Sequence, residues 1–299
     1  MSAQRSIAIP FAVATLGIAL FSGMDAVMKG LSLAIGVYNA LLWRTMAGAV
    51  LGGALFVGRR MRWPAAPVLR LHLRRGLISS VMALLFFWGL ARVPMAQAIA
   101  LAFVAPLIAL YLAALLLGER IQKTAVLASV LGFAGVVVIL LGQAQAELGP
   151  DAFWGALAIL ASAVLYAYNI ILMRQQAQVA GPVEVAFFMS LIMTSCFLLA
   201  APWLAQLPAG AHWPAIGGAA LLAFASLMLL SWAYARAEAQ YLAPVEYTGF
   251  IWAALFGFLV FGEVVQPWTL LGAAMIVAAC LVAARARPPV HVVDPETGL

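Results

Sequence analysis

The chain is 299 residues long, 66% hydrophobic and only 9% charged, with a formal net charge of +6 and a mean hydropathy of +1.08. Soluble domains carry about 25% charged and about 45–50% apolar residues. This composition therefore excludes a water-soluble globule, which could not cover itself with polar surface, and the scattered placement of the basic residues excludes a nucleic-acid-binding domain.

Long apolar runs without strand alternation predict an all-α, polytopic membrane protein whose backbone groups are satisfied within each helix. A crossing needs about 20 apolar residues. In chain order the runs fall at 7–28, 37–57, 76–91, 95–117, 122–142, 152–173, 183–204, 215–235, 241–261 and 267–285, which gives ten transmembrane helices. The first has the look of a signal peptide, with Arg5 ahead of it, but it is long enough to span and its removal would break the repeat described below. The third is short and meets the fourth through Arg92, Val93 and Pro94; residues 76–117 are about twice one span, so they are split there.

Basic residues collect in cytoplasmic loops. With the N-terminus inside, thirteen of the sixteen fall in inner segments: Arg5, Arg59, Arg60, Arg62, Arg70, Arg74, Arg75, Arg120, Lys123, Arg174, Arg236, Arg285 and Arg287. Only Lys29 and Arg92 fall outside, and Arg44 lies within a span. Both termini are thus expected in the cytoplasm. Helices in lipid associate through close backbone approach at small residues, so Gly48 with Gly52, and Ala128 with Gly132, read as packing positions. Cys196 and Cys280 lie in apolar stretches and read as small core residues.

Catalytic constellations are missing. His72, His212 and His291 are expected in loops or the tail, leaving no His base or metal-ligand set inside a span. No clustered Asp motif, HExxH or GxSxG occurs. Neither an enzyme nor a bound cofactor or metal is expected.

An internal repeat is visible at an offset of 144 positions. It aligns Trp88 with Trp232, Ala91 with Ala235, Arg92 with Arg236, Gly118-Glu119 with Gly262-Glu263, Gln122 with Gln266 and Leu127 with Leu271. Ala and Leu coincide easily in such a composition; Trp, Arg, Glu and Gln do not. Five spans is an odd number, so the second repeat must be inverted, an architecture that recurs in transporters with the substrate near the midplane. Expected boundaries are 1–146 and 147–287, followed by a flexible tail at 288–299.

The runs Trp88-Gly-Leu-Ala-Arg-Val-Pro through Leu-Leu-Leu-Gly-Glu119, and Trp232-Ala-Tyr-Ala-Arg through Val-Phe-Gly-Glu263, resemble the EamA-type drug/metabolite transporters. That resemblance implies two five-helix domains, ten spans and both termini inside. Pro106 and Arg44 fall where the family often has a mid-helix proline and a second-helix arginine, whereas Phe250 and Phe188 stand at the matching positions of the second repeat. Within the superfamily the chain is similar to the YddG-like aromatic amino acid exporters of bacterial inner membranes. What this implies is export of small metabolites, amino acids foremost, by alternating access; drugs, other metabolites or a channel-like facilitator are the alternatives. The implied partners are a small-molecule substrate and the lipid bilayer, and a monomer is compatible with this reading.

Ionisable groups inside a span are costly and are functional candidates by default. Arg44, about seven residues into the second span, either holds a substrate carboxylate in a two-pronged contact or pairs with a carbonyl or with Asp25. Asp25 and Lys29 lie one turn apart and form either an i,i+4 ion pair or, through Asp25, a site for a substrate ammonium. Glu246 follows Pro244 into the ninth span, where it could titrate or meet an amine. Asn39, Gln97 and Asn169 offer hydrogen bonds to a polar lumen. Trp43, Tyr166, Tyr168, Phe250 and Trp252 offer either stacking walls or interfacial anchors. Glu184 reads as favouring a helix N-terminus, and Glu119 and Glu263 as terminators or contacts between repeats.

Overall fold

The computed structural model describes residues 3–117, 123–145, 150–234, 236 and 245–285, and among them it contains helices and no strand. The helices are α1 (Ala3–Ile35), α2 (Val37–Gly58), α3 (Ala66–Leu90), α4 (Met95–Ala102), α5 (Ala105–Leu117), α6 (Lys123–Gln145), α7 (Pro150–Ala177), α8 (Pro182–Leu198), α9 (Ala201–Leu204), α10 (Trp213–Tyr234), α11 (Thr248–Phe261) and α12 (Pro267–Arg285). Five stretches are long and apolar enough to cross a membrane: Ile9–Ile35, Val37–Gly58, Ala66–Leu90, Asp151–Ala177 and Gly210–Ala233. Five shorter apolar stretches accompany them. Large apolar side chains are exposed around the bundle, among them Val50, Val57, Phe133, Trp203 and Leu259. In water these would be a liability; against lipid they are the expected outer face.

Local chemistry sets the connections. Only Gly36 separates α1 from α2, at φ +79°, a conformation that glycine adopts without the Cβ clash other residues meet. Gly262 closes α11 at φ +67°, with its N–H on Phe258 O and the Glu263 N–H on Gly257 O, both at 3.0 Å. The Gly-Glu pair is therefore a left-handed helix stop that fixes where the Glu263 carboxylate stands.

Two expected boundaries are corrected. The third helix begins at Ala66 rather than 76, with Pro67 in its first turn, so Arg70, His72, Arg74 and Arg75 are helical and not loop residues. The expected fourth span is broken at Phe103 and Val104 into α4 and α5. Pro106 has no N–H for the Ala102 carbonyl and suits the first turn of a new helix instead.

Packing follows the small residues. A Cβ on Gly52 would come within 2.9 Å of the Phe187 backbone, and one on Gly132 within 2.2 Å of Leu107, so both glycines sit at helix contacts. Similarly, α6 and α12 meet where Gly135 and Gly272 face each other's carbonyls. The pairing pattern is itself paired: α1 packs on α10, α3 on α7, α2 on α8 and α6 on α12. Shifted by 144 positions, the first two pairings exchange and the last two map onto themselves.

Details recur at the same offset. Arg92 lies over the Trp88 ring at 3.6 Å and donates from Nη1 to Trp88 O at 2.9 Å. Arg236 lies over Trp232 at 4.2 Å and donates likewise at 3.2 Å. Phe103 and Tyr247, each at a helix interruption and 144 positions apart, meet edge to face at 5.3 Å.

Candidate functional site

Two groups of buried polar side chains stand in the apolar bundle, and they differ in how they are satisfied. The first lies on α1 and α2. Asp25 is 1% exposed, and neither carboxylate oxygen has a hydrogen-bond partner. Arg44 supplies the opposing charge, close enough for the two to attract, and its Nε is also without a partner. An isolated buried carboxylate is costly, and the facing guanidinium offsets part of that cost without satisfying its lone pairs. Ser79 on α3, Thr194 on α8, Ser226 on α10 and the Trp252 indole N–H on α11 are likewise buried without hydrogen-bond partners.

Lys29 does not form the expected i,i+4 pair with Asp25. Its Nζ pairs with Glu263 Oε1 and donates to Val93 O at 2.7 Å. Glu263 Oε2 accepts the Met95 N–H at 2.7 Å. A partner 234 positions away thus replaces the one a single turn away, because the Gly262 stop brings Glu263 to a lysine that is 4% exposed and needs a full counter-charge. Glu119, its counterpart in the sequence repeat, lies outside the described residues.

The second group joins α3, α7 and α8. Arg75 donates from Nε to Asn169 Oδ1 at 3.2 Å and from Nη1 to Gln176 Oε1. The same Gln176 amide bonds His72 Nδ1 through Nε2 at 2.5 Å. With Nδ1 accepting, His72 Nε2 carries the proton and donates to Glu184 Oε1 at 3.0 Å. The His72 ring stacks on Phe188 at 4.8 Å. His72 is buried within α3, which corrects its expected place in a loop. Tyr166 lies within electrostatic reach of Arg75, and Glu246 within reach of Tyr166.

The remaining candidates disperse. Asn39 spends its amide on the fold, donating to Ile35 O at 3.2 Å and accepting the Gln206 N–H at 2.9 Å. Trp43 donates to Gln206 O at 2.9 Å and meets Trp213 edge to face. Gln97 is buried on α4, Tyr168 is half-buried on α7, and Phe250 packs against the main apolar core. Glu246 is exposed, two residues before α11. A cleft of about 1020 Å³ opens between the α1–α2 junction and the ends of α3 and α7, lined by Ser32, Tyr38, Trp88, Arg92, Asp151 and Trp154 among others. None of the nine sequence-predicted site residues lines it.

Sequence reasoning missed His72, Arg75 and Gln176. A signal was available: His72, Arg75 and Ser79 recur at helical spacing, as do Asn169 and Gln176 on α7. Reading the arginines as topology markers starts the helix at 76, after His72 and Arg75, and hides that spacing.

Residues 9–141, and again 153–285, match the EamA-like transporter family, two segments displaced by the same 144 positions at both ends. This chain belongs to that family. The pseudopaline exporter of Pseudomonas aeruginosa is 25% identical over 92% of this chain and 95% of its own length. A riboflavin transporter of Rhizobium johnstonii is 30% identical over 70% of this chain and 68% of its own. An S-adenosylmethionine uptake transporter of Rickettsia bellii is 26% identical over 70% of each. A crystal structure at 24% identity superposes with a TM-score of 0.62, covering 94% of this chain and all of the other, which establishes the fold. The chain is accordingly a membrane transporter of small metabolites, not an enzyme.

Proposed function

We propose that this EamA-like transporter exports amino acids, aromatic or other neutral ones, across the bacterial inner membrane by alternating access. On this reading the five long and five shorter apolar stretches are ten crossings. They form two inverted repeats at 1–146 and 147–287, with a tail at 288–299 and both termini in the cytoplasm. The thirteen basic residues assigned to inner segments and the exchanged helix pairings support that arrangement.

The observation that carries the substrate class is the Asp25–Arg44 pair. A permanently charged guanidinium, half-buried with its Nε buried, and a fully buried carboxylate, both short of hydrogen bonds, match the carboxylate and ammonium of a zwitterion. Such a ligand satisfies both groups at once, whereas an apolar drug leaves both unpaired. Asp25 belongs to α1 and Arg44 to α2, and other buried polar atoms without hydrogen-bond partners occur on helices of both halves of the chain, on which a site between repeats can draw.

The relatives named for riboflavin and for S-adenosylmethionine favour a second reading, in which the substrate is a larger metabolite of another class. Purified protein in proteoliposomes separates the two. Uptake and counterflow are measured for a panel of neutral and aromatic amino acids, riboflavin and S-adenosylmethionine, with and without a proton gradient. Saturable counterflow of amino acids is the expected result. Counterflow restricted to the other compounds rejects the substrate class, and conductance without saturation rejects a carrier.

A further inference from the structure

Three residues on one face of α1 lie in a column. Ser32 lines the open cleft, Lys29 lies three residues below it, and Asp25 four residues below Lys29. At 1.5 Å per residue, Lys29 stands about 5 Å beneath the cleft lining and about 6 Å above the Asp25 carboxylate's helical position. Its ammonium is held from the far half of the chain by Glu263 and from the near half by Val93 O, while Glu263 also takes the Met95 N–H. A single ion pair thereby ties α1, the α3–α4 turn and the α11–α12 turn together, between the cleft and the proposed substrate pair.

The lysine of this tie has no counterpart in the second repeat. At the offset of 144 the position matching Lys29 is Met173, an uncharged residue that accepts only a long contact from Asn169 Nδ2 at 3.7 Å. Conformational states related by exchange of the repeats are equal in energy only if their closing contacts are equal, and with Met173 at the position matching Lys29 the same ammonium–carboxylate pair cannot form in the second repeat.

We propose that Lys29 and Glu263 are gate residues that close the route from the cleft to Asp25 and bias the transporter toward the state shut at this end. The proposal rests on the alternating-access reading. Opening this end separates the pair, and water entering the gap then hydrates both charges, so the bias is finite and the gate can cycle. A hydrogen-bonded contact to a charged group corresponds to a population bias on the order of tenfold to a hundredfold.

The test is a pair of distance measurements by electron spin resonance in lipid nanodiscs, on the full chain with Cys196 and Cys280 replaced by Ala. One label pair, at positions 33 and 264, spans the gated end. The other, at positions 57 and 179, spans the opposite end; all four native residues are exposed. In Lys29→Met and Glu263→Gln the first pair is expected to shift toward long distances by about tenfold in population while the second pair shortens in step. Lys29→Arg, which keeps the charge, is expected to stay with the parent. Glu263→Gln retains an oxygen for the Met95 N–H, which guards against a folding defect. Lengthening at the gated end alone marks a purely local contact and overturns the gate. If the parent alternates when a transported substrate is added and the variants match it, the gate alone falls. If neither pair moves in the parent, alternating access falls with it.

Discussion

The two buried polar groups of this protein are made from the same kinds of residue and behave in opposite ways. On α3, α7 and α8, each member of the chain from Asn169 through Arg75, Gln176 and His72 to Glu184 has its partner in place. On α1 and α2, Asp25 and Arg44 attract each other but leave buried donors and acceptors unmatched. A satisfied network fixes one arrangement of helices; an unsatisfied one holds free energy that only a further partner releases. The first therefore belongs to the scaffold, and the second is the proposed substrate site.

The largest expected effect breaks that contrast from the functional side. Removing Arg44 alone leaves Asp25 as an uncompensated buried charge and risks the fold. The double variant Asp25→Asn/Arg44→Met removes both charges and avoids that cost. It is expected to reach the membrane and melt like the parent while counterflow of amino acids falls about a hundredfold, the scale of losing charge-assisted contacts to a substrate. Undiminished transport by the well-folded double variant removes the pair from the site.

Next in size is the opposite perturbation. Gln176→Leu strips a partner from Arg75 Nη1 and from His72 Nδ1 together. Stability is expected to fall by about 2–3 kcal/mol, since two buried groups lose their hydrogen bonds, as read from denaturant titration in mixed micelles. Substrate affinity per folded molecule is expected to hold. A raised KM at unchanged stability would move this network into the substrate site and erase the distinction drawn between the two groups.

What the sequence made legible follows the same division. Membrane class, the positions of the apolar runs and the 144-residue repeat rest on local composition and spacing, and the helices lie close to where those runs predicted. The Arg-rich start of α3 was misread because a charge inside a helix and a charge in a loop look alike until a partner is known. The break at Phe103 was misread because Pro106 was counted as part of one continuous span. Least legible was Lys29: its true partner is set by how the α11–α12 turn folds back, whereas Asp25, one turn away, is the nearer choice along the chain. Gly262-Glu263 announced a helix stop but not the lysine it serves.

Asn39 gives the smallest and most discriminating expectation, because it lies on α2 only five residues from Arg44 yet belongs with the satisfied groups. Its amide bridges Ile35 O and the Gln206 N–H, and Trp43 adds a bond to Gln206 O from the next turn. Asn39→Ala removes one net hydrogen bond to the α9–α10 connection and exposes little new surface, so a loss of about 1 kcal/mol is expected with transport within about twofold of the parent. Position on the chain alone would assign Asn39 to the substrate site; hydrogen-bond satisfaction assigns it to the scaffold. A tenfold fall in transport at unchanged stability would favour position, and would extend the site from Arg44 to the end of the bundle where α1 meets α2.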